Sequence, residues 1–333
     1  MGIPVRQQVI LGSYLVKKKL ERAQRFPILV EVEPLFACNL ECAGCGKIQY
    51  PPEILKKRLS VEQVLAAMDE CGAPMVSLAG GEPLIHPEID VMCRRLLERG
   101  LVVFRCTNAL LLEKKMHLFE PHPRFSWTVH IDGLRERHDA SVCRNGVFDK
   151  AVAAVKLAKK RGFFVTTNTT FFKSDTPEDV RSVLDFLNDE LAVDGIMISP
   201  GFAYEKAPRP EEFLTVPAAR RLFREAFRGR RDEWRLSHSP LFLDFLEGKT
   251  ELECTPWAIP SYSIFGWQRP CYLMADGYAR TYRELLETTD WDAYGRGKDP
   301  RCANCMAHCG FEPSAVVATM GSLKETIRAA TAR

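Results

Sequence analysis

Short, nearly continuous apolar runs recur along the chain from about residue 28, at intervals of roughly 25–45 residues, with helical patterns between them. The runs are Ile28–Phe36, Met75–Ala79, Val102–Cys106, Phe125–Ile131, Phe164–Thr170 and Gly195–Ser199. Such runs fit parallel strands buried on both faces. The intervening segments carry helix punctuation. Ser60 with Gln63 forms a capping box ahead of the stripe Val61, Val64, Leu65 and Met68, and Gly72 stops it. Pro87 opens the next helix, with Ile89, Met92, Cys93, Leu96 and Leu97 inward and Gly100 at its end, and Thr176-Pro177-Glu178-Asp179 starts another. Six βα units predict a partial (β/α)6, TIM-like barrel over residues 28–235. After about Arg231 the pattern breaks into segments such as CTPWAIPSYSIFGWQRPC, which predicts a small, irregular, cysteine-rich domain over 236–333, held by a metal centre rather than a core. Residues 1–27 read as a basic helical extension with Val9, Ile10, Tyr14 and Leu15 near one face and Lys17, Lys18 and Lys19 behind them. That helix either packs on the barrel or lies on an anionic membrane surface.

Composition narrows the function. Of 333 residues, 46% are hydrophobic, and 46 Lys and Arg against 43 Asp and Glu give a net charge of +3, which argues against a bulk nucleic-acid binder. No stretch has the apolar length of a membrane span, and the short apolar run before the lysines has the reverse charge order of a secretion signal. A cytoplasmic enzyme, peripheral to the inner face of a membrane if the basic helix binds lipid, is the expected setting.

Twelve cysteines change the picture because of where they lie. Cys38, Cys42 and Cys45 fall in one loop directly after the first strand, and three thiolates in a tight loop suit a [4Fe–4S] cubane with one iron left open. Structural zinc would want a fourth ligand nearby. At the other end Cys302, Cys305 and Cys309 crowd together, with Cys271 and Cys254 upstream.

The segment CNLECAGC resembles the cluster loop of the radical S-adenosylmethionine (SAM) enzymes, and other strand ends agree. Ala79-Gly80-Gly81-Glu82-Pro83 looks like the family's GGEP motif at the SAM amino group, with glycines for close approach and Glu82 as acceptor. Thr107-Asn108 resembles TNG, Val129–Gly133 occupies the place of VSLDG with His130 toward SAM, and Asn168 matches a ribose-contacting Asn. The sequence departs from the pattern at Gly44, where an aromatic usually packs on adenine, and at His130, where serine is usual. By this resemblance the cofactors are a [4Fe–4S] cluster and SAM, which is consumed.

KIQYPPEILKKRLS, CTPW, FGWQRPCYL and CANCMAHCG together resemble one subfamily, the adenosylhopene transferases of hopanoid biosynthesis. The resemblance implies adenosyl addition to the terminal alkene of the triterpene diploptene, with a flavodoxin or ferredoxin as electron donor. The tertiary radical so formed needs a hydrogen-atom donor, and Cys106, closing the third strand beside Asn108, is the expected thiol. A buried small hydrophobe is its alternative reading, and Cys71, Cys93 and Cys143 read as structural. Phe202, Tyr204, Trp257, Ile264, Phe265 and Trp267 are expected either to line an apolar substrate pocket or to fill the C-terminal domain's core. The C-terminal cysteines resemble auxiliary-cluster extensions and suggest a second [4Fe–4S] cluster on Cys271, Cys302, Cys305 and either Cys309 or Cys254, with structural zinc or no metal at all as the alternatives. Two rival functions stand beside this one. A peptide-modifying radical SAM enzyme fits the cysteines, although only about 27 residues precede the first strand. A non-catalytic iron–sulfur or zinc scaffold would leave the GGEP segment, Asn108 and Asn168 without a role.

Overall fold

The computed structural model describes residues 5–202 and 206–331, so Tyr204 lies outside the described residues. Six parallel strands form in chain order: β1 (Leu29–Glu33), β2 (Met75–Leu78), β3 (Val102–Thr107), β4 (Phe125–His130), β5 (Phe164–Phe171) and β6 (Gly195–Pro200). Each matches an apolar run of the sequence to within a few residues. The helix Val61–Cys71 has its capping box, and Gly72 ends it in the left-handed region at φ 68°. Thr176 and Asp179 likewise cap the helix Pro177–Asp185.

The strands are not apolar on both faces, as the runs predicted. Outward residues such as Val30, Val32, Val76, Leu78, Val103, Trp127, Val165, Ile196 and Ile198 are buried in one core with the surrounding helices. Full burial of such a side chain contributes about 1.5–3 kcal/mol, so the outward face carries the stability. Strand alternation then turns Glu31, Glu33, Ser77, Cys106, Thr128, His130, Thr166 and Asn168 inward. The register sets Glu31 opposite Ser77, Cys106 opposite Thr128, and His130 opposite Asn168.

The region after Arg231 differs from expectation. Three short strands, β7 (Ser261–Ser263), β8 (Gly266–Gln268) and β9 (Tyr278–Ala279), extend the barrel sheet. β7 runs parallel to β1 with Ser261 opposite Glu31, and the nine strands lie in the order β6-β5-β4-β3-β2-β1-β7-β8-β9. Trp267, Leu285, Trp291 and Phe311 join the same core as the barrel helices, so a core does hold this region. Gly266 permits the β8–β9 pairing, since a Cβ there would sit 2.6 Å from the Ala279 carbonyl oxygen.

The helix Val5–Leu20 packs across the N-terminal ends of the strands. Ile10, Leu11, Tyr14 and Leu15 meet Leu29, Met75, Val102 and Phe104, and the Tyr14 hydroxyl donates to the Pro27 carbonyl at 2.6 Å. Val9 is turned outward instead, as are Val16 and Leu20. No described helix is long and apolar enough to cross a membrane.

Candidate active site

The chain leaving β1 carries Cys38, Cys42 and Cys45, and the loop after β2 pins it. Gly81 N donates to Leu35 O at 3.0 Å and Glu82 N to Ala37 O at 2.9 Å. A Cβ on Gly81 would fall 2.1 Å from Ala37 O, and one on Gly80, at φ 96°, 2.4 Å from Leu35 O. The two glycines are therefore required by loop packing before any ligand is considered. Glu82, the acceptor expected for an ammonium, is also met by donors of the protein itself. It is fully buried and accepts from Leu84 N at 2.9 Å, Thr107 Oγ1 at 3.0 Å and Asn108 N at 2.8 Å. Its carboxylate ties the ends of β2 and β3 together.

Asn108 reaches the cysteine loop itself, donating from Nδ2 to Asn39 Oδ1 at 2.8 Å and toward Cys38 Sγ at 3.8 Å. Burial pushes the Cys38 thiol up to about 11 and raises Cys42 and Cys45 as well, each further raised by a neighbouring loop cysteine or acid. Without metal these three are thiols; iron would replace their protons. Among the described residues no three Cys, His, Asp or Glu side chains converge as one ion would require. A cubane spreads its three thiolates over three irons, and a loop of three half-buried thiols fits that donor set.

At the same end of the barrel His130 Nε2 lies 2.8 Å from Asp132 Oδ2, and Asp132 also accepts from Ser141 Oγ at 3.0 Å and Thr170 N at 2.9 Å. Burial alone would lower His130, but Asp132 outweighs it and raises the imidazole. Asn168 Oδ1 and Glu33 Oε1 are buried without a hydrogen-bond partner. Orphaned acceptors in a cavity are what a bound polar ligand with hydroxyls or an ammonium would satisfy, so the residues present fit SAM. Gly44 has its own explanation: a Cβ there would lie 3.1 Å from the Phe172 ring and 3.4 Å from Phe213, so those two rings fill the place of the missing side chain.

Deeper in the barrel, Cys106 is enclosed by protein yet only half-buried, because it faces the open interior. Its Sγ is 3.5 Å from Ser77 Oγ, and Ser77 stands opposite Glu31 in the β1–β2 ladder. Burial, with the Glu31 charge, pushes the Cys106 thiol up to about 12, so its S–H is intact at neutral pH. Cys71 and Cys93 are core side chains and Cys143 is exposed, as their helix and loop positions implied.

The C-terminal cysteines meet around one small cavity of about 30 Å³, lined by Cys254, Cys271, Cys302 and Cys305 with Phe202, Leu273, Met274 and Arg296. Cys309 stands close by, since its charge and those of the other three raise Cys254, after the larger effect of burial. Gly310 is what lets Cys254 approach: a Cβ there would lie 2.5 Å from Cys254 Sγ. All five are free thiols; no three of them converge on one point as a single ion would require, and sulfur donors spread around a cavity suit the several irons of an iron–sulfur cluster better.

The expected aromatic wall does not assemble. Phe202 lines the second cysteine cavity, Trp257 meets Phe26 edge-on beside the N-terminal helix, Ile264 packs on the main core, Phe265 packs on Phe36 and Tyr50, and Trp267 is buried in the core with its indole N–H on Glu70. Sequence reasoning passed over Glu31, Glu33, Lys47 and Asp132. The alternation Leu29-Val30-Glu31-Val32-Glu33 was the available signal for the first two.

Comparison with known proteins agrees with this geometry. Residues 32–187 match the radical SAM superfamily model, and residues 196–329 match a domain of unknown function, DUF3463. Fe-coproporphyrin III synthase of Methanosarcina barkeri is 27% identical over 157 residues, which are 46% of this chain and 39% of that protein. The AdoMet-dependent heme synthase of the same organism is 29% identical over 46% of this chain and 45% of its own length. GTP 3′,8-cyclase 1 of Mycobacterium tuberculosis is 24% identical over 56% and 55% respectively. The chain thus spans about half or less of these relatives' length. In overall fold it is similar to Streptococcus suis SuiB bound to S-adenosylmethionine, with a TM-score of 0.66, 17% identity, and 92% of this chain and 77% of that one covered. The radical SAM match runs from β1 through β5, and members of that superfamily use a [4Fe–4S] cluster and SAM.

Proposed function

We propose that this protein is a radical SAM transferase that adds the 5′-deoxyadenosyl group to the terminal alkene of diploptene, giving adenosylhopane for hopanoid biosynthesis. The observation that carries the reading is the free thiol of Cys106 on the inner wall of the barrel, beside the end of β3 that leads to Asn108. The subfamily resemblance of the segments around the cysteines supports the substrate. When bound, the cluster on Cys38, Cys42 and Cys45 and SAM supply the adenosyl group in radical form. The chain's own residues hold and protect it. The Gly80–Gly81 backbone, Asn108, His130 and Asn168 would orient SAM, and the barrel excludes water. Addition to the alkene leaves a tertiary carbon radical, and the Cys106 S–H, weaker than a C–H bond, supplies the hydrogen atom that quenches it. Cys254, Cys271, Cys302 and Cys305 would hold a second [4Fe–4S] cluster, with zinc as the alternative and Cys309 as a neighbouring thiol. A flavodoxin or ferredoxin supplies electrons. The exposed Val9, Val16 and Leu20 beside Lys17, Lys18 and Lys19 support peripheral contact with an anionic membrane in which the alkene dissolves.

The fold likeness to SuiB, whose structure also exists with a precursor peptide, supports a second reading in which the substrate is a peptide. An anaerobic assay of reconstituted enzyme with SAM, reduced flavodoxin and diploptene separates them. Adenosylated product is expected by mass spectrometry, and Cys106→Ala should abolish its normal quench. Free 5′-deoxyadenosine without adduct overturns the substrate. Normal product at normal rate from Cys106→Ala overturns the thiol's role.

A further inference from the structure

We propose that Ser77 is a positioning residue for the quench: its hydroxyl holds the Cys106 thiol in one orientation and so selects the face of the carbon radical that receives the hydrogen atom. The inference rests on the reading of Cys106 as hydrogen donor and adds what aims it. Ser77 on β2 and Cys106 on β3 both turn into the barrel, and Ser77 Oγ lies 3.5 Å from Cys106 Sγ, a hydrogen bond between neighbouring strands. Ser77 is buried, whereas the thiol is only half-buried against the open interior.

Other groups fix the rest of the cysteine, which leaves its side-chain torsion as the variable. Arg105, fully buried on the outer face of the sheet, donates from Nη1 to the Cys106 carbonyl at 2.9 Å and lies over the Trp127 ring. The β3–β4 ladder sets Cys106 opposite Thr128, whose own hydroxyl is paired with Thr166 Oγ1 at 3.0 Å. Of the two hydroxyls beside the thiol, Ser77's is therefore the one that bonds it. A cysteine has one torsion with three staggered wells, and a bond to sulfur from the β2 side favours one of them. A thiol is a weak donor and its sulfur a weak acceptor, so the stronger donor, the Ser77 O–H, gives its hydrogen to Cys106 Sγ and the S–H is left to turn toward the interior.

The direction of delivery has a chemical consequence. The quench forms a C–H bond, breaks the S–H bond and leaves a sulfur-centred radical on Cys106, which one electron from a flavodoxin- or ferredoxin-class carrier and one proton return to the thiol. The carbon that accepts the hydrogen atom is planar as a radical and carries three different carbon substituents. The side from which sulfur approaches therefore fixes its configuration. A thiol free to sample several wells delivers from more than one direction, and one held by Ser77 delivers from a single side.

The test reads configuration rather than rate. Reconstituted enzyme equilibrated in deuterated water, with SAM, reduced flavodoxin and diploptene, should give adenosylated product with one deuterium on the quenched carbon and a single configuration there, read by mass spectrometry and NMR. Ser77→Ala should still place deuterium on that carbon but lower the ratio of the two configurations by roughly two- to tenfold, the effect expected of one lost hydrogen bond. Ser77→Thr, which keeps the hydroxyl, should keep the wild-type ratio, an outcome that a merely structural role would not produce. An unchanged ratio in Ser77→Ala overturns the proposal, and so does the same mixture from both variants, which would trace it to packing. Loss of all product in Ser77→Ala also overturns it, because an unaimed thiol still quenches. Cys106→Ala, run beside them, tests the underlying reading: if it gives deuterated product of one configuration, that reading fails whatever Ser77 does, and if it does not while Ser77→Ala keeps the wild-type ratio, only the positioning role fails.

Discussion

The Lys47 ammonium joins two parts of the chain 225 residues apart, lying 3.1 Å from Glu33 Oε2 on β1 and donating at 2.9 Å to the Tyr272 carbonyl, over whose ring it also sits. Glu33 is inaccessible to solvent, and burial pushes its carboxyl up against the pull of Lys47. The pair thus anchors the first cysteine loop and the segment after Cys271 to the same strand.

Removing one partner of such a pair leaves the other buried alone. Lys47→Met should destabilise the protein by about 3–5 kcal/mol, and the double change with Glu33→Gln should recover a good part of that. Anaerobic urea denaturation of the purified variants measures both. A Lys47→Met midpoint equal to wild type would show that the pair bears no load.

The two cysteine sites should empty independently. Replacing Cys38, Cys42 and Cys45 together with Ala should remove about four iron per chain and abolish SAM cleavage while the second site keeps its metal. Metal and sulfide analysis of that triple variant also identifies the second occupant. Iron with sulfide supports a cluster, and zinc without sulfide replaces it with a structural ion.

Gly310→Ala drives a methyl group into Cys254 Sγ, 2.5 Å away. The sulfur must move to make room, so second-site metal content should fall and the melting temperature with it, while the first site keeps its iron. Full metal occupancy in Gly310→Ala would mean that Cys254 is not a ligand.

The His130–Asp132 pair should leave a mark on stability against pH. His130 is raised above its ordinary 6.5 by Asp132, which outweighs burial, so its contribution is full below 6.5 and fades as pH climbs through the raised folded value. Asp132 is held below its ordinary 3.8, against burial, by His130 and then by its other partners, so its contribution is present above 3.8 and is lost as pH falls through the lowered value. Wild type should therefore exceed His130→Gln in melting temperature most between about pH 4 and 6.5. Parallel curves across pH 4 to 9 would contradict the pairing.

The barrel was legible because six buried strands each need an outward apolar face, and that requirement writes Val76-Ser77-Leu78 or Trp127-Thr128-Val129 into the chain wherever a strand occurs. Reading those runs as apolar throughout hid the inward residues, and with them Glu31 and Ser77. β7, β8 and β9 were not legible: two- and three-residue strands have no period to detect, and their pairing is decided by β1's open edge rather than by their own composition. The first cysteine loop was readable from spacing because its three cysteines are local in sequence. The second was readable only as a cluster, since Cys254 and Cys271 are brought to Cys302 and Cys305 by the sheet extension. Glu82 shows another limit: its residue type and position match a ligand-binding motif, but only coordinates reveal that its oxygens also tie the ends of β2 and β3 together.

The parallel pairing of β7 with β1 means that the seam between the two matched regions runs through main-chain hydrogen bonds along the strand that carries Glu31 and Glu33. The chain cannot be cut there into interchangeable cassettes. An engineer who swaps residues 236–333 for another recognition module strips one edge of β1, frees the inner wall to shift, and loses the thiol's alignment together with the new module's.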